Sequence, residues 1–151
     1  MLETPRGAGV LFYDRHTQRV LLYRRDTTPT IPFPGYLDIL GGHTEAGETP
    51  EDTVVREIAE ELDDLRSGRP YVLTGHRLCT VYTDARGVPD SVFCKEADFA
   101  LAEVRLKEGH ELVWVTEAEA RITPLAFGYN AILADFFPAL RAGTVWASHL
   151  R

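Results

Sequence analysis

The chain has 151 residues, enough for one domain of ordinary size, and 44% of them are apolar against 26% charged, the balance of a globular protein. Its formal charge of −7 excludes a duplex-binding surface built on bulk positive charge. No apolar run approaches the ~18 residues that cross a bilayer and no basic segment precedes an apolar one at the start, so a cytoplasmic protein without a membrane partner is expected.

In chain order, residues 7–13 (GAGVLFY) and 20–25 (VLLYRR) read as two strands joined by the polar turn 14–19, a hairpin entering a sheet. Residues 26–36 carry Pro29, Pro32, Pro34 and Gly35 and read as a loop. A short strand, LDIL at 37–40, delivers the chain to Gly41 and Gly42. Thr49 then fits an N-cap, Pro50 the first helical position and Asp52 the acid of a capping box. Val55, Ile58, Leu62 and Leu65 form an apolar stripe along the helix that follows. Beyond it, 71–83 and 91–102 read as a second strand pair around the turn ARGVPD, 112–115 (LVWV) as a further strand, and 116–120 as a helical turn. A closing helix is expected over 128–141, with Ile132, Leu133, Phe136 and Phe137 inward and Pro138 ending or kinking it. Residues 142–151 read as a loose tail or an interface strap. Cys79 and Cys94 fall in strand-like segments without a CxxC or histidine pattern and read as buried free thiols. Strand pairs with two helices predict an α/β fold, a mixed β-sheet with a helix on each face, as one domain over 1–151.

The chemistry concentrates in residues 41–64, GGHTEAGETPEDTVVREIAEELDD. Glu57, Glu60, Glu61 and Asp64 recur at i, i+3, i+4 and i+7, which gathers them within an arc of roughly 100° on one side of a helix. Like charges so close repel unless something positive sits among them, and hard oxygen donors suit Mg²⁺, Mn²⁺ or Ca²⁺ rather than zinc. Glu48, just before the cap, is placed to fold back and grip the Arg56 guanidinium as a fork.

Gly42, Glu48 and the run Arg56-Glu57-Ile58-Ala59-Glu60-Glu61, at this spacing, resemble the signature box of Nudix (MutT-like) hydrolases. The resemblance implies a Nudix-type α/β/α sandwich that binds divalent metal, Mg²⁺ or Mn²⁺, and splits a diphosphate bond in a nucleoside diphosphate-linked substrate. Carried over, Glu57, Glu60, Glu61 and the Gly42 carbonyl would be metal ligands, with Arg56 and Glu48 orienting them. The general base is left between Glu57 and Glu108, the latter in the stretch LKEGHELVW with Glu111. Arg24 and Arg25 match positions that reach phosphate or base, Asp38 an acid that faces substrate, and residues 122–130 (ITPLAFGYN) a loop facing the nucleobase, with Phe127 or Tyr129 to stack and Asn130 to read an edge. His43 could touch phosphate, and His110 reads as surface.

The box departs from the family at its end, where Asp63 and Asp64 replace a glycine and an aliphatic residue. This predicts a helix about one turn longer, running to Ser67-Gly68 before Pro70 blocks it. A small nucleoside triphosphate is the first substrate expected. ADP-ribose, dinucleoside polyphosphates or nucleotide sugars come second, and a non-catalytic nucleotide sensor third. A homodimer is possible on the same grounds.

Overall fold

In the computed structural model, residues 6–145 are described; expectations for the last residues of the tail lie outside them. Strand β1 (Gly7–Asp14) is the axis of the molecule, and seven of its eight residues are buried. It pairs in parallel with β8 (Pro89–Glu96) along one edge. Its other edge is shared: Phe12–Asp14 pair antiparallel with β2 (Arg19–Arg24), whereas Gly7–Val10 pair antiparallel with β4 (Leu40–His43). The two-residue β3 (Leu37–Asp38) pairs with the far end of β2. The sheet therefore forks, and the β3–β4 segment is a wedge between β1 and β2. Strand β7 (Arg77–Thr83) adds to β8, and β10 (Glu111–Thr116) closes the opposite edge on β2.

A buried central strand must be apolar on both faces, and β1 is. Val10 and Phe12 join Val54, Ile58 and Leu62 beneath α1 (Pro50–Glu61). Leu11 and Tyr13 join the core on the other face, which α3 (Asn130–Ala142) covers with Leu133, Phe136 and Phe137. The short α2 (Glu117–Ile122) packs beside α3. The result is the expected α/β/α layering of a mixed sheet.

Several boundaries differ from expectation. Helix α1 stops at Glu61: Leu62 is already extended at φ −124° and ψ 133°, and Leu62–Asp64 form β5 of a small sheet with β6 (Arg69–Pro70) and β9 (Val104–Leu106). Asp63 faces Arg105 at 2.5 Å and Lys107 at 3.2 Å, some forty residues on, whereas Asp64 pairs locally with Arg66 at 3.0 Å. Along α1 the buried stripe is Val54, Ile58 and Leu62, whereas Leu65 is 51% exposed. The strand pair begins later and ends earlier than expected, at 77–83 and 89–96. Helix α3 continues through Pro138 to Ala142 and ends at Gly143 in the left-handed region (φ 70°). Leu140, buried beyond the proline, extends the apolar face, so packing overrides the local break.

The cysteines are not free. Cys79 and Cys94 form a disulfide between β7 and β8. The register shifts between Leu78 and Thr80, so Cys79 occupies a bulge, which re-aims its side chain toward the neighbouring strand. Sequence spacing alone gives no sign of such a bulge.

Candidate active site

The box forms a loop tied to the start of a helix. Thr49 accepts from the Asp52 N–H at 3.1 Å while Asp52 accepts from the Thr49 N–H at 3.1 Å, the expected reciprocal cap. Arg56 grips Glu48 through Nε at 2.6 Å and Nη2 at 2.9 Å, and Nη2 also donates to the His43 carbonyl at 2.9 Å. Glu48 in turn accepts from the Glu45 N–H and the Thr53 hydroxyl. With the Arg56 fork as the main cause, the Glu48 carboxyl is held down to about 2, so it is ionised at any ordinary pH. One guanidinium thus fixes the loop, the end of β4 and the helix to each other.

The carboxylates of α1 behave differently. Glu61 is only 6% exposed, and its Oε1 has no hydrogen-bond partner. Burial, then the neighbouring charges of Glu57, Asp38 and Glu108, push its carboxyl up to about 9, against a hydrogen bond from the Gly41 main chain. Glu57 is pushed up to about 7, chiefly by desolvation, with Glu60 and Glu108 adding to it and Arg56 opposing. Glu60 is more exposed and lies 3.3 Å from Arg56 Nη1. Among the described residues, no three His, Cys, Asp or Glu converge into a ready-made cation cage. The donor chemistry nonetheless fits a hard divalent cation: an orphaned buried carboxylate oxygen beside a second carboxylate, both destabilised as anions, is what a bound cation would relieve. The Glu57 carboxylate lies directly against Gly42, where a Cβ would stand 1.7 Å from its Oε1 and push it aside.

Beside this face the fork in the sheet leaves a cavity of about 270 Å³. On one side Arg25 pairs with buried Asp38 at 2.7 Å, and Tyr23 donates to the same Asp38 oxygen at 3.3 Å. On the other, Arg86 is bound by Asp84 in the β7–β8 turn, and its Nη1 lies 3.2 Å from His43 Nε2. Both guanidinium groups lie over the Phe127 ring, that of Arg86 3.9 Å and that of Arg25 5.3 Å from its centroid. Phe127 itself is left-handed (φ 57°), a conformation that costs a non-glycine residue about 1–2 kcal/mol. Deeper in, Tyr129 donates to Asp90 at 2.7 Å, and both are buried. Burial is the first cause that raises the Asp90 carboxyl to about 7, and nearby Asp84 adds to it.

Of the residues singled out from the sequence, Gly42, His43, Arg25, Asp38, Phe127 and Tyr129 line this cavity, and Glu57 abuts it across Gly42. Glu48, Arg56, Glu57, Glu60 and Glu61 share the loop and helix beside it. Glu108 stands in the loop where the Lys107 N–H donates to the Glu61 carbonyl at 2.7 Å, near enough to raise both Glu57 and Glu61. Arg24 does not line the cavity, and its Nη1 donates to the Gly35 carbonyl at 3.1 Å. Asn130 is spent on the main chain: its amide donates to the carbonyls of Ala120 and Thr123 and accepts from the Leu125 N–H, so no edge is left for a base. Sequence reasoning missed Tyr23, Asp84, Arg86 and Asp90. The only signal for the last three was the density of charge in a short turn, DARGVPD, which reads equally as solvated surface.

A family model, the NUDIX domain, matches residues 3–136. The chain belongs to the Nudix family. A curated relative, the "uncharacterized Nudix hydrolase orf19" of Rhodococcus erythropolis, is 45% identical over 57 residues, 37% of this chain and 30% of that protein. The match thus spans under a third of that relative's length. Among solved structures, this Nudix domain is similar to a MutT from a study of Aliivibrio salmonicida and Vibrio cholerae (TM-score 0.67, 16% identity, 88% of this chain and 96% of that one). It is also similar to the NUDIX domain of Shewanella oneidensis NrtR complexed with ADP ribose (TM-score 0.69, 20% identity, 94% and 90%). A MutT Nudix hydrolase from Burkholderia pseudomallei gives a TM-score of 0.65 at 24% identity, over 88% of this chain and 98% of that one. At these identities the likeness is one of fold. No helix among the described residues is long and apolar enough to cross a membrane.

Proposed function

We propose that this Nudix domain is a metal-dependent hydrolase that splits a diphosphate bond in a nucleoside diphosphate-linked substrate, with a small nucleoside triphosphate as first choice. Membership of the family, and a relative named as a Nudix hydrolase, support the hydrolase class. The observation that carries the site is the partnerless buried oxygen of Glu61 beside a raised Glu57. Glu57, Glu60, Glu61 and the Gly42 carbonyl are the groups that would hold Mg²⁺ or Mn²⁺. When bound, such a cation neutralises phosphate charge and lowers the pKa of water. The chain's own part is positional. The Arg56 fork on Glu48 holds the box loop against α1, so the main chain at Gly42 and the helix carboxylates keep one spacing. Arg25, anchored by Asp38, presents a fixed cation at the cavity. The proton of an attacking water is assigned in this reading to either Glu57 or Glu108, whose mutual proximity is felt in the raised Glu57 carboxyl.

A second reading, ADP-ribose as substrate or as a ligand sensed without turnover, draws on the structural similarity to the NrtR domain complexed with ADP ribose. One screen separates them: chromatographic detection of the mononucleotide, pyrophosphate or sugar phosphate formed from nucleoside triphosphates, ADP-ribose and dinucleoside polyphosphates with Mg²⁺ and with Mn²⁺, beside Glu61→Gln. Turnover of triphosphates that the variant loses supports the first reading. Tight binding of ADP-ribose with no product from any compound supports the sensor.

A further inference from the structure

We propose that Asp90 is a specificity-determining residue: its carboxyl accepts hydrogen bonds from donors on an uncharged ring, nucleobase or sugar, lodged in the forked cavity. This rests on the hydrolase reading only for where the reacting phosphates lie.

The cavity is built for one ring with mixed polarity. At about 270 Å³ it falls at the small end for ligand sites, room for a single base or sugar and not for two nucleosides. Its charges are balanced, Arg25 by Asp38 and Arg86 by Asp84, with buried Asp90 beside the second pair, so a phosphate there would be driven against buried carboxyls. The groups expected from the sequence to read the ring are already committed. Arg86 covers one face of Phe127 at 3.9 Å, the Tyr129 hydroxyl is given to Asp90, and the Asn130 amide is engaged by three main-chain groups.

Asp90 is held by the Tyr129 hydroxyl and shares a hydrogen bond with Asp84, yet it still faces the cavity. It is 6% exposed, lines the cavity, and is oriented by Tyr129 through Oδ2. Its Oδ1 occupies space left by Gly7, where a Cβ would stand 2.2 Å away. A buried, oriented acceptor of this kind discriminates strongly, because a ring without the matching donor leaves it unpaired.

The test is equilibrium binding, without metal, of the common nucleoside 5′-monophosphates, ribose 5-phosphate and inorganic phosphate to the wild type, Asp90→Asn and Tyr129→Phe. The wild type is expected to bind at least one ring-bearing phosphate more tightly than inorganic phosphate by about tenfold or more, and Asp90→Asn to erase most of that margin. Tyr129→Phe, which frees Asp90 from its anchor, should reduce the margin by about threefold, and it carries the test if Asp90→Asn does not fold. A margin shared by ribose 5-phosphate assigns the cavity to the sugar. One confined to particular monophosphates assigns it to the base. In turnover, the Asp90→Asn effect should fall more on KM than on kcat. A wild type that prefers no ring, or variants that keep the whole margin, would overturn the proposal. Absence of hydrolysis with the margin intact would instead sink the hydrolase reading and leave this one standing.

Discussion

The box loop with α1 and the forked cavity are neighbours, yet they are made in opposite ways. In the first, the deciding hydrogen bonds join residues 3, 5, 8 and 13 apart, and one guanidinium organises them. In the second, Tyr129 meets Asp90 across 39 positions, Arg86 meets His43 across 43, and Tyr82 donates to the Gly128 carbonyl across 46. The local unit can be specified by a short stretch of sequence. The cavity exists only once the sheet has closed, so its chemistry is free to differ among chains that share the box.

That contrast can be broken or sharpened by experiment. The largest effect should come from the local unit: Glu61→Gln is expected to lower Mg²⁺-dependent product formation by about 100-fold while leaving the melting temperature close to wild type, because the buried carboxyl, pushed up to about 9, is already uncharged near neutral pH. A variant as active as the wild type would detach catalysis from α1. Reduction of the Cys79–Cys94 bond, which ties β7 to β8 below the turn that carries Asp84 and Arg86, should cost about 3 kcal/mol in urea unfolding for a loop of this length. Thiol titration of the denatured, unreduced protein should find no free cysteine. Asn130→Ala removes three main-chain hydrogen bonds and should cost about 2 kcal/mol in the same assay, with the order of substrate preference unchanged. A changed order would return Asn130 to the ligand.

A further effect concerns pH. The Asp90 carboxyl is raised from 3.8 to about 7, so folding favours its protonated form. Its contribution to stability is therefore complete below about pH 3.8, declines as pH rises to about 7, and is level above that. Relative to Asp90→Asn, the wild type should lose stability between pH 4 and 7; parallel curves would show that the carboxyl is not buried as described.

The same division explains what was legible in the sequence. The Thr49–Asp52 cap, the Arg56–Glu48 fork and the spacing of Glu57, Glu60 and Glu61 are local, and the helix period alone orders them. The end of α1 was not legible, because Asp63 is drawn into a strand by Arg105 and Lys107, and no local rule connects those positions. Asn130 was misjudged for the same reason: a polar residue in an aromatic-rich loop resembles a reader of ligands until its three main-chain partners are known. Asp90 and Arg86 looked like solvated turn residues. Only the parallel pairing of β1 with β8, which sets Gly7 opposite Asp90, brings that carboxyl inside.

The wedge of β3 and β4 has a mechanical corollary. Both rims of the opening are hemmed by continuous backbone pairing, Gly7–Val10 with Leu40–His43 on one side and Tyr23–Arg24 with Leu37–Asp38 on the other. Its gape is therefore not tuned by swapping rotamers. A guest too broad for it must unzip a ladder at the centre of the molecule, whereas one that fits should slow amide exchange along that seam.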